Sequence, residues 1–236
     1  MKTEFSTAAP GEKSAISRIL LAANAPREKI RVPGGSWDLV IGVDGGGDLL
    51  CKWGIKANLL IGDLDSLSEN GRVFHEASGA QIKVYPADKN QTDLELALNE
   101  LPASFHTEIH LSGFLGGRTD MSLLNCLLPG RFIDRGWYTF DTPDGCGGIF
   151  GAGEMIVSRL SPGISCALLA LSELVEGIES SGVRWPLHYE TLHLGESRGV
   201  SNIIEESQWR VRVQNGVLLW LVTGPNRADV EIERRF

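Results

Sequence analysis

Two aspartates at alternate positions are the residues of this chain best placed to do chemistry. Asp63 and Asp65 directly follow the apolar run Asn58–Gly62, which is typical of a strand buried on both faces. Residues i and i+2 of a strand point the same way, so the pair would aim two carboxylates into one small volume. Two such anions repel unless a cation lies between them, and Mg²⁺ holding a polyphosphate suits hard oxygen ligands. An isolated Asp-x-Asp is as often a solvated acidic turn, so neighbouring motifs must decide.

Three further polar turns follow predicted strands. The turn Val43–Asp48 is glycine-rich and opens a helix, which would let backbone N–H groups approach a phosphate, although a purely structural turn is the better explanation of this motif alone. The turn Asp88–Asp93 precedes an amphipathic helix, where Thr92 or Asp93 either caps that helix or serves the site. In Gly116–Asp120, Arg118 is a candidate phosphate fork, and Asp120 is either a site residue or an N-cap. Four such turns after successive strands are hard to explain as independent caps.

The composition excludes several classes of protein. Of the 236 residues, 42% are hydrophobic and 22% charged, as in ordinary globular proteins, and the formal net charge of -8 argues against nucleic acid as the main partner. No apolar run is long enough to span a membrane, and residues 1–16 are predicted to be a disordered lead-in rather than a signal peptide. The four cysteines have no metal-ligand spacing, so we expect reduced thiols and a cytoplasmic protein.

The elements that must position these turns form two patterns. From residue 17 to about residue 128, short apolar runs alternate with helical patterns, which predicts an α/β, Rossmann-like domain with a mostly parallel sheet. Ligands of such sheets lie beyond the C-terminal strand ends, where all four turns fall. After Arg135, strand-like pieces recur at short spacing, which predicts an all-β sandwich or barrel. The predicted domains are therefore residues 17–135 and 136–236. The predicted strands are 16–24, 37–44, 58–62, 81–86, 108–114, 137–142, 147–153, 155–160, 164–171, 189–195, 209–214 and 217–222, and the predicted helices are 47–54, 68–79, 91–101 and 120–128.

Taken together, these motifs resemble the thiamin pyrophosphokinase family. The order Asp-Gly-Gly, Gly-Asp-x-Asp-Ser, Thr-Asp after a lysine-containing turn, and Gly-Gly-Arg-x-Asp matches the family's N-terminal half. Residues 182–187, 194–195, 201–202 and 218–220 resemble its C-terminal block. The resemblance runs from about Ile19 to Val222, nearly the whole chain.

The resemblance implies an activity and a set of site residues. The family transfers pyrophosphate from ATP to the hydroxyethyl oxygen of thiamin with Mg²⁺, as a homodimer whose active sites lie at the subunit interface. It assigns Asp63, Asp65 and Asp93 to the metal, with Asp120 beside them as a fourth catalytic carboxylate. Nucleotide and phosphate binding would fall to Asp44, Gly45, Gly46, Ser66, Thr92 and Arg118, and thiamin binding to Ser201, Asn202 and Trp220, where Trp220 would stack on the ligand. A core position for Trp220 remains the alternative.

Two departures from the family pattern leave other functions open. Met121 stands where the family commonly has a histidine, and Asn90 replaces an acidic residue. Neither removes Asp63, Asp65 or Asp93. The alternatives are a diphosphokinase acting on another heterocyclic alcohol, and a non-catalytic regulator that binds nucleotide or thiamin.

Overall fold

The computed structural model describes residues 18–24 and 31–236. The predicted lead-in, residues 1–16, and the start of the predicted first strand lie outside the described residues. None of the helices in the described part of the chain combines the length and the apolar character that crossing a membrane requires.

The first half alternates strands and helices, which confirms the α/β prediction. All five predicted strands and all four predicted helices are present, with ends that differ by a few residues. The strands are β1 (Arg18–Ala22), β2 (Leu39–Val43), β3 (Leu59–Gly62), β4 (Gln81–Val84) and β5 (Glu108–Ser112). The helices are α1 (Gly46–Trp53), α2 (Glu69–Ala77), α3 (Asp93–Asn99) and α4 (Thr119–Leu127), followed by a 3-10 segment, Leu128–Arg135.

The second half is built from strands, as predicted. Three of them were not predicted: β10, β12 and β15. In β10, Glu176 and Gly177 interrupt the apolar alternation, and β12 is only two residues long, so neither has a clear strand pattern. The strands are β6 (Trp137–Thr142), β7 (Gly145–Phe150), β8 (Gly153–Ser158), β9 (Ser165–Ala170), β10 (Leu174–Ser181), β11 (His188–His193), β12 (Asn202–Ile203), β13 (Gln208–Val213), β14 (Leu218–Thr223) and β15 (Glu231–Arg235).

One sheet runs through both halves of the chain. It has ten strands in the order β12-β9-β14-β7-β6-β5-β1-β2-β3-β4, and a second sheet has the order β11-β10-β13-β8-β15. The six strands from β6 to β4 pair in parallel, whereas β7, β14, β9 and β12 join antiparallel. The sheet is therefore continuous past Arg135, and the domain boundary at that residue stays a prediction.

Alternate side chains of a strand pack into two different hydrophobic cores, one on each face of the ten-stranded sheet. In β14, Leu218, Trp220 and Val222 pack into the space between the two sheets, and Leu219 packs on the opposite face, where residues of α3 and of the parallel strands also lie. A third cluster, around Leu20, Leu50 and Leu60, lies between the parallel strands and α1. Both faces of β1, β2 and β3 are covered, and these strands are accordingly continuous, largely apolar runs.

Candidate active site

A cavity of about 620 Å³ opens at the C-terminal edge of the parallel strands. It lies where the strand order reverses, beside the chain that leaves β1 at Ala23 and Asn24 and the chain that leaves β5 at Gly113 and Phe114. Such a switch point is the general ligand position in open α/β sheets. Besides these four, the cavity is lined by Val43, Asp44, Gly45, Ser66, Asp93, Leu94, Gly116, Gly117, Arg118, Met121 and Asn125.

Three carboxylates converge beside this cavity, and one of them, Asp44, is among its lining residues. Asp44, Asp63 and Asp65 each offer an oxygen within 4.8 Å of the others. Asp44 holds the left-handed backbone conformation, with a φ of 50°, and Leu64 between the other two has a φ of 58°. Non-glycine residues in this region carry strain that is typical of functional sites. The strain here turns carboxylates of two neighbouring strands toward one point.

One oxygen of Asp44 is left for a ligand. Its Oδ2 accepts a 2.7 Å hydrogen bond from the Ser66 hydroxyl. Its Oδ1 is buried and has no hydrogen-bond partner within the described ranges of the chain. A buried, unpaired carboxylate oxygen beside two other carboxylates suits a hard cation, so the residues present fit Mg²⁺.

Lys89 supplies a positive charge to this acidic cluster. Its Nζ lies 3.2 Å from Asp93 Oδ1, one helical turn away along the chain, and 3.9 Å from Asp63 Oδ2. Burial raises the pKa of Asp93, and Lys89 opposes that rise. The repulsion of Asp63, and then of Asp44, raises the pKa of the exposed Asp65. Of the three predicted metal ligands, Asp63 and Asp65 lie together, and the third carboxylate of their group is Asp44. Asp93 instead forms an ion pair with Lys89.

The glycine-rich turn brings backbone close to the cavity. Gly45 caps α1, and a Cβ on Gly46 would lie 1.8 Å from the carbonyl oxygen of Ala22. Only glycine fits so close to β1. The buried His75 holds the same turn from behind, because its Nε2 donates to the carbonyl of Gly47 at 2.8 Å while its Nδ1 accepts from Ala57 N.

Thr92, Arg118 and Asp120 have contacts of their own. The Thr92 hydroxyl accepts from Glu95 N at 3.3 Å, so it caps α3. Arg118 lines the cavity, but its Nη2 donates to Asp120 Oδ2 at 2.6 Å, and both side chains are largely exposed. This hydrogen bond lowers the pKa of Asp120 to about 2. Asp120 itself is not among the residues that line the cavity.

The predicted acceptor residues lie elsewhere on the sheet. Ser201, with a φ of 62°, precedes Asn202 in β12, the edge strand. The Asn202 side chain accepts from Trp185 N at 3.1 Å and donates to Trp185 O at 2.7 Å. It thereby fixes the backbone of a tryptophan that is 50% exposed.

The structure favours the core alternative for Trp220, and the assignment of this residue to thiamin stacking stays a prediction. Trp220 is 1% exposed and lies in the core between the two sheets. Leu218 and Val222 share its face of β14, and that face is covered by the second sheet. Trp185 is the exposed aromatic residue beside Asn202. The sequence analysis did not assign it to the site, although it lies in the segment 182–187 that resembles the family's C-terminal block.

The acidic cluster and the Asn202 region cannot meet within one chain. In the strand order, β2 lies seven places from β12. At about 4.8 Å between neighbouring strands, that separation is on the order of 30 Å.

Comparisons with known proteins agree with these features. Residues 35–133 match the family model described as thiamin pyrophosphokinase, catalytic domain, and residues 155–218 match that described as thiamin pyrophosphokinase, vitamin B1 binding domain. A thiamine pyrophosphokinase of Bacillus subtilis is 29% identical over 192 residues, which cover 78% of this chain and 86% of that protein.

Solved structures give the same result. A crystal structure of thiamine pyrophosphokinase from Bacillus subtilis matches with a TM-score of 0.72 at 26% identity. The match covers 88% of this chain and 99% of the chain in that structure. Thiamin pyrophosphokinase from Candida albicans, at 16% identity, shares the fold with a TM-score of 0.66. The match covers 94% of this chain and 98% of that one. With two models of one family matching successive parts of the chain, this protein belongs to the thiamin pyrophosphokinase family.

Proposed function

We propose that this chain transfers a pyrophosphoryl group from ATP to the hydroxyethyl oxygen of thiamin, which yields thiamin diphosphate and AMP. The observation that carries the proposal is the convergence of Asp44, Asp63 and Asp65 beside a glycine-rich turn, at the switch point of a parallel sheet. Carboxylates cannot bind phosphate directly, whereas they can hold a cation that does. The family membership of the chain supports the same activity.

Within this proposal, Asp44, Asp63 and Asp65 hold Mg²⁺. When bound, the ion would neutralise charge on the phosphate oxygens. Lys89 adds a positive charge beside Asp63 and Asp93, and Arg118 can turn from Asp120 toward a phosphate on the cavity wall. The backbone N–H groups around Gly45 and Gly46 provide further donors at the start of α1. These groups position the phosphates, which is the main requirement of phosphoryl transfer.

The acceptor half of the site comprises Trp185, Asn202 and Ser201. The exposed Trp185 ring offers a flat surface for a cationic heterocycle, and Asn202 holds that ring in place. Because this region lies on the order of 30 Å from the carboxylates of the same chain, the proposed active site needs two copies of the chain. The acidic cluster of one protomer would face Trp185 of its partner, in a homodimer.

The two proposed binding functions belong to successive parts of the chain. We assign nucleotide and metal binding to residues 17–135 and acceptor binding to residues 136–236. The four cysteines are all free thiols, which supports a cytoplasmic location.

Release of AMP from Mg·ATP tests the proposed function. Purified protein should release AMP in proportion to the thiamin added, and none without an acceptor. A panel of other heterocyclic alcohols tests the acceptor assignment in the same assay. Faster turnover of one of those alcohols would reassign the acceptor, and binding of thiamin and ATP without AMP release would indicate a regulator.

A further inference from the structure

A buried arginine on the last strand of the second sheet has no carboxylate partner among residues 18–24 and 31–236. Arg234 in β15 is 7% exposed, and its Nη2 donates to the carbonyl of Ala152 at 3.1 Å. Its Nε and Nη1 are buried, and neither has a hydrogen-bond partner in the described part of the chain. None of the ion pairs formed by the described residues involves Arg234.

Burial of this charge is compensated only in part. Phe150 and Phe236 lie against the guanidinium, with ring centroids 4.6 Å and 5.0 Å from Cζ. Ring faces attract a cation, but they do not satisfy N–H donors that lie in the guanidinium plane. Burial accordingly lowers the pKa of Arg234 to about 10. A buried cation of this kind favours an anion within reach of its free donors.

Arg234 is among the residues that line a cavity with aromatic walls. The cavity has a volume of about 180 Å³ and also contains Trp137, which is 4% exposed and whose indole Nε1 has no hydrogen-bond partner among the described residues. Phe105 and Phe236 form part of the wall. A cavity of about 150 Å³ is large enough to hold benzene, so this one has room for a single six-membered ring with a small substituent.

We propose that this cavity is a binding site for a small planar carboxylate, held by Arg234 and by the indole N–H of Trp137. A guanidinium matches the two oxygens of a carboxylate, and the aromatic walls favour a flat apolar body over a fully hydrated anion such as phosphate. The N–H donors of Arg234 and Trp137 thus select for a negative charge, and the aromatic walls select for a flat shape.

The proposed site is separate from the catalytic cleft. Phe105 precedes β5 and Trp137 begins β6, so the cavity lies near the N-terminal ends of the parallel strands. Asp44 and Asp63 follow the C-terminal ends. The five residues of β5 span about 16 Å between these two edges. The ligand of this cavity is therefore not a substrate held by the acidic cluster.

Titration with sodium benzoate tests the proposal on the full-length protein, at constant ionic strength and up to concentrations on the order of 10 mM. Benzoate should bind and raise the melting temperature, and benzamide, which has the same shape without the charge, should do neither. Absence of benzoate binding, or equal binding of benzoate and benzamide, would overturn the proposal.

Two variants locate the binding. Arg234→Met replaces the buried charge with an apolar chain of similar length, so it should stay folded and bind benzoate at least about tenfold more weakly. Trp137→Phe should weaken binding by roughly tenfold, since it removes one donor to the carboxylate. If Arg234→Met fails to fold, Arg234→Lys takes its place, because it keeps the charge and loses the fork. Benzoate affinity equal to that of the unmodified protein in these variants would refute the site.

Discussion

At the scale of single residues, the acidic cluster stores repulsion that a cation relieves. Asp63, and then Asp44, raises the pKa of Asp65, so that carboxyl gives up its charge at a higher pH than an isolated aspartate. A raised folded-state pKa means that the ionised group disfavours the folded protein above that pKa. The negative charge of Asp65 is therefore needed to bind the cation, whereas the same charge lowers the stability of the metal-free protein.

Asp65→Asn separates the two demands. We expect turnover with Mg·ATP and thiamin to fall by at least about tenfold, because the cluster loses one charged ligand. Without metal, the melting temperature should stay equal or rise, since the repulsion disappears. Activity assays and thermal melts in EDTA check both. Ser68→Ala, which removes the cap of α2, is a matched control that should lower the melting temperature while leaving Asp65 in place. Near-normal turnover of Asp65→Asn in saturating Mg²⁺ would contradict the metal assignment.

A second residue-scale prediction concerns a buried histidine. Burial, and next the charge of Arg227, lowers the pKa of His110 to about 3, from 6.5 in an unfolded chain. The stability that neutral His110 provides is therefore complete above pH 6.5 and is lost as the pH falls toward 3.

His110→Gln should remove this dependence. Its free energy of unfolding should fall less steeply between pH 6.5 and pH 4 than that of the unmodified protein, by up to about 1.4 kcal/mol per pH unit. Urea titrations at several pH values measure the difference. His106, which is outside the core, provides the control in His106→Gln. Parallel pH profiles of His110→Gln and the unmodified protein would contradict the prediction.

At the scale of elements, Trp185 and Trp220, two of the four tryptophans after Arg135, differ in their surroundings. Trp220 lies between two sheets, whereas Trp185 follows β10 in an exposed turn that Asn202 holds. Trp220→Ala should therefore cost roughly 3–5 kcal/mol of stability. Trp185→Leu should leave the melting temperature nearly unchanged and raise the KM for thiamin without changing that for ATP.

Melting curves and steady-state kinetics of both variants check this contrast. A large loss of stability in Trp185→Leu, or an unchanged KM for thiamin, would contradict the role of the exposed ring.

Local patterns were sufficient for most elements and insufficient for contacts between them. The apolar runs of β1, β2 and β3 predicted buried strands because both faces of those strands are covered. Alternation in β14 predicted which residues share a face, but not that a second sheet covers the face of Trp220. The pair Lys89 and Asp93 has helical spacing, yet the approach of Lys89 to Asp63 depends on β3 and α3 being neighbours. Pairings across the sheet follow from tertiary structure alone.

At the scale of the whole molecule, the separation of the acidic cluster from the Asn202 region, on the order of 30 Å, leads to a complementation test. Asp65→Asn and Trp185→Ala should each have at most about one tenth of the normal activity when assayed alone at a thiamin concentration below the KM of the Trp185 variant. In a mixed dimer, one of the two sites would combine the intact cluster of one chain with the intact Trp185 of the other. After random exchange of subunits, about one quarter of the normal activity should return, as half of the dimers are mixed and each has one good site.

Activity assays before and after mixing, with each variant mixed with itself as the control, check this prediction. Light scattering should give a mass of twice 25.6 kDa. A fully active monomer, or mixtures whose activity does not rise although subunits exchange, would contradict a shared site.

The ten-stranded sheet also determines how the chain can come apart. Because β6 pairs with β5 on one side and β7 on the other, the apolar cluster around Ile109, Tyr138 and Leu219 draws on both halves. Melting one half would strip the other of its neighbours, so we expect heat to unfold the chain in a single cooperative transition. A fragment cut at Arg135 would expose β5 or β6 as a long apolar edge, ready to pair with other copies. Neither fragment should stay in solution by itself, although each carries a recognisable family segment.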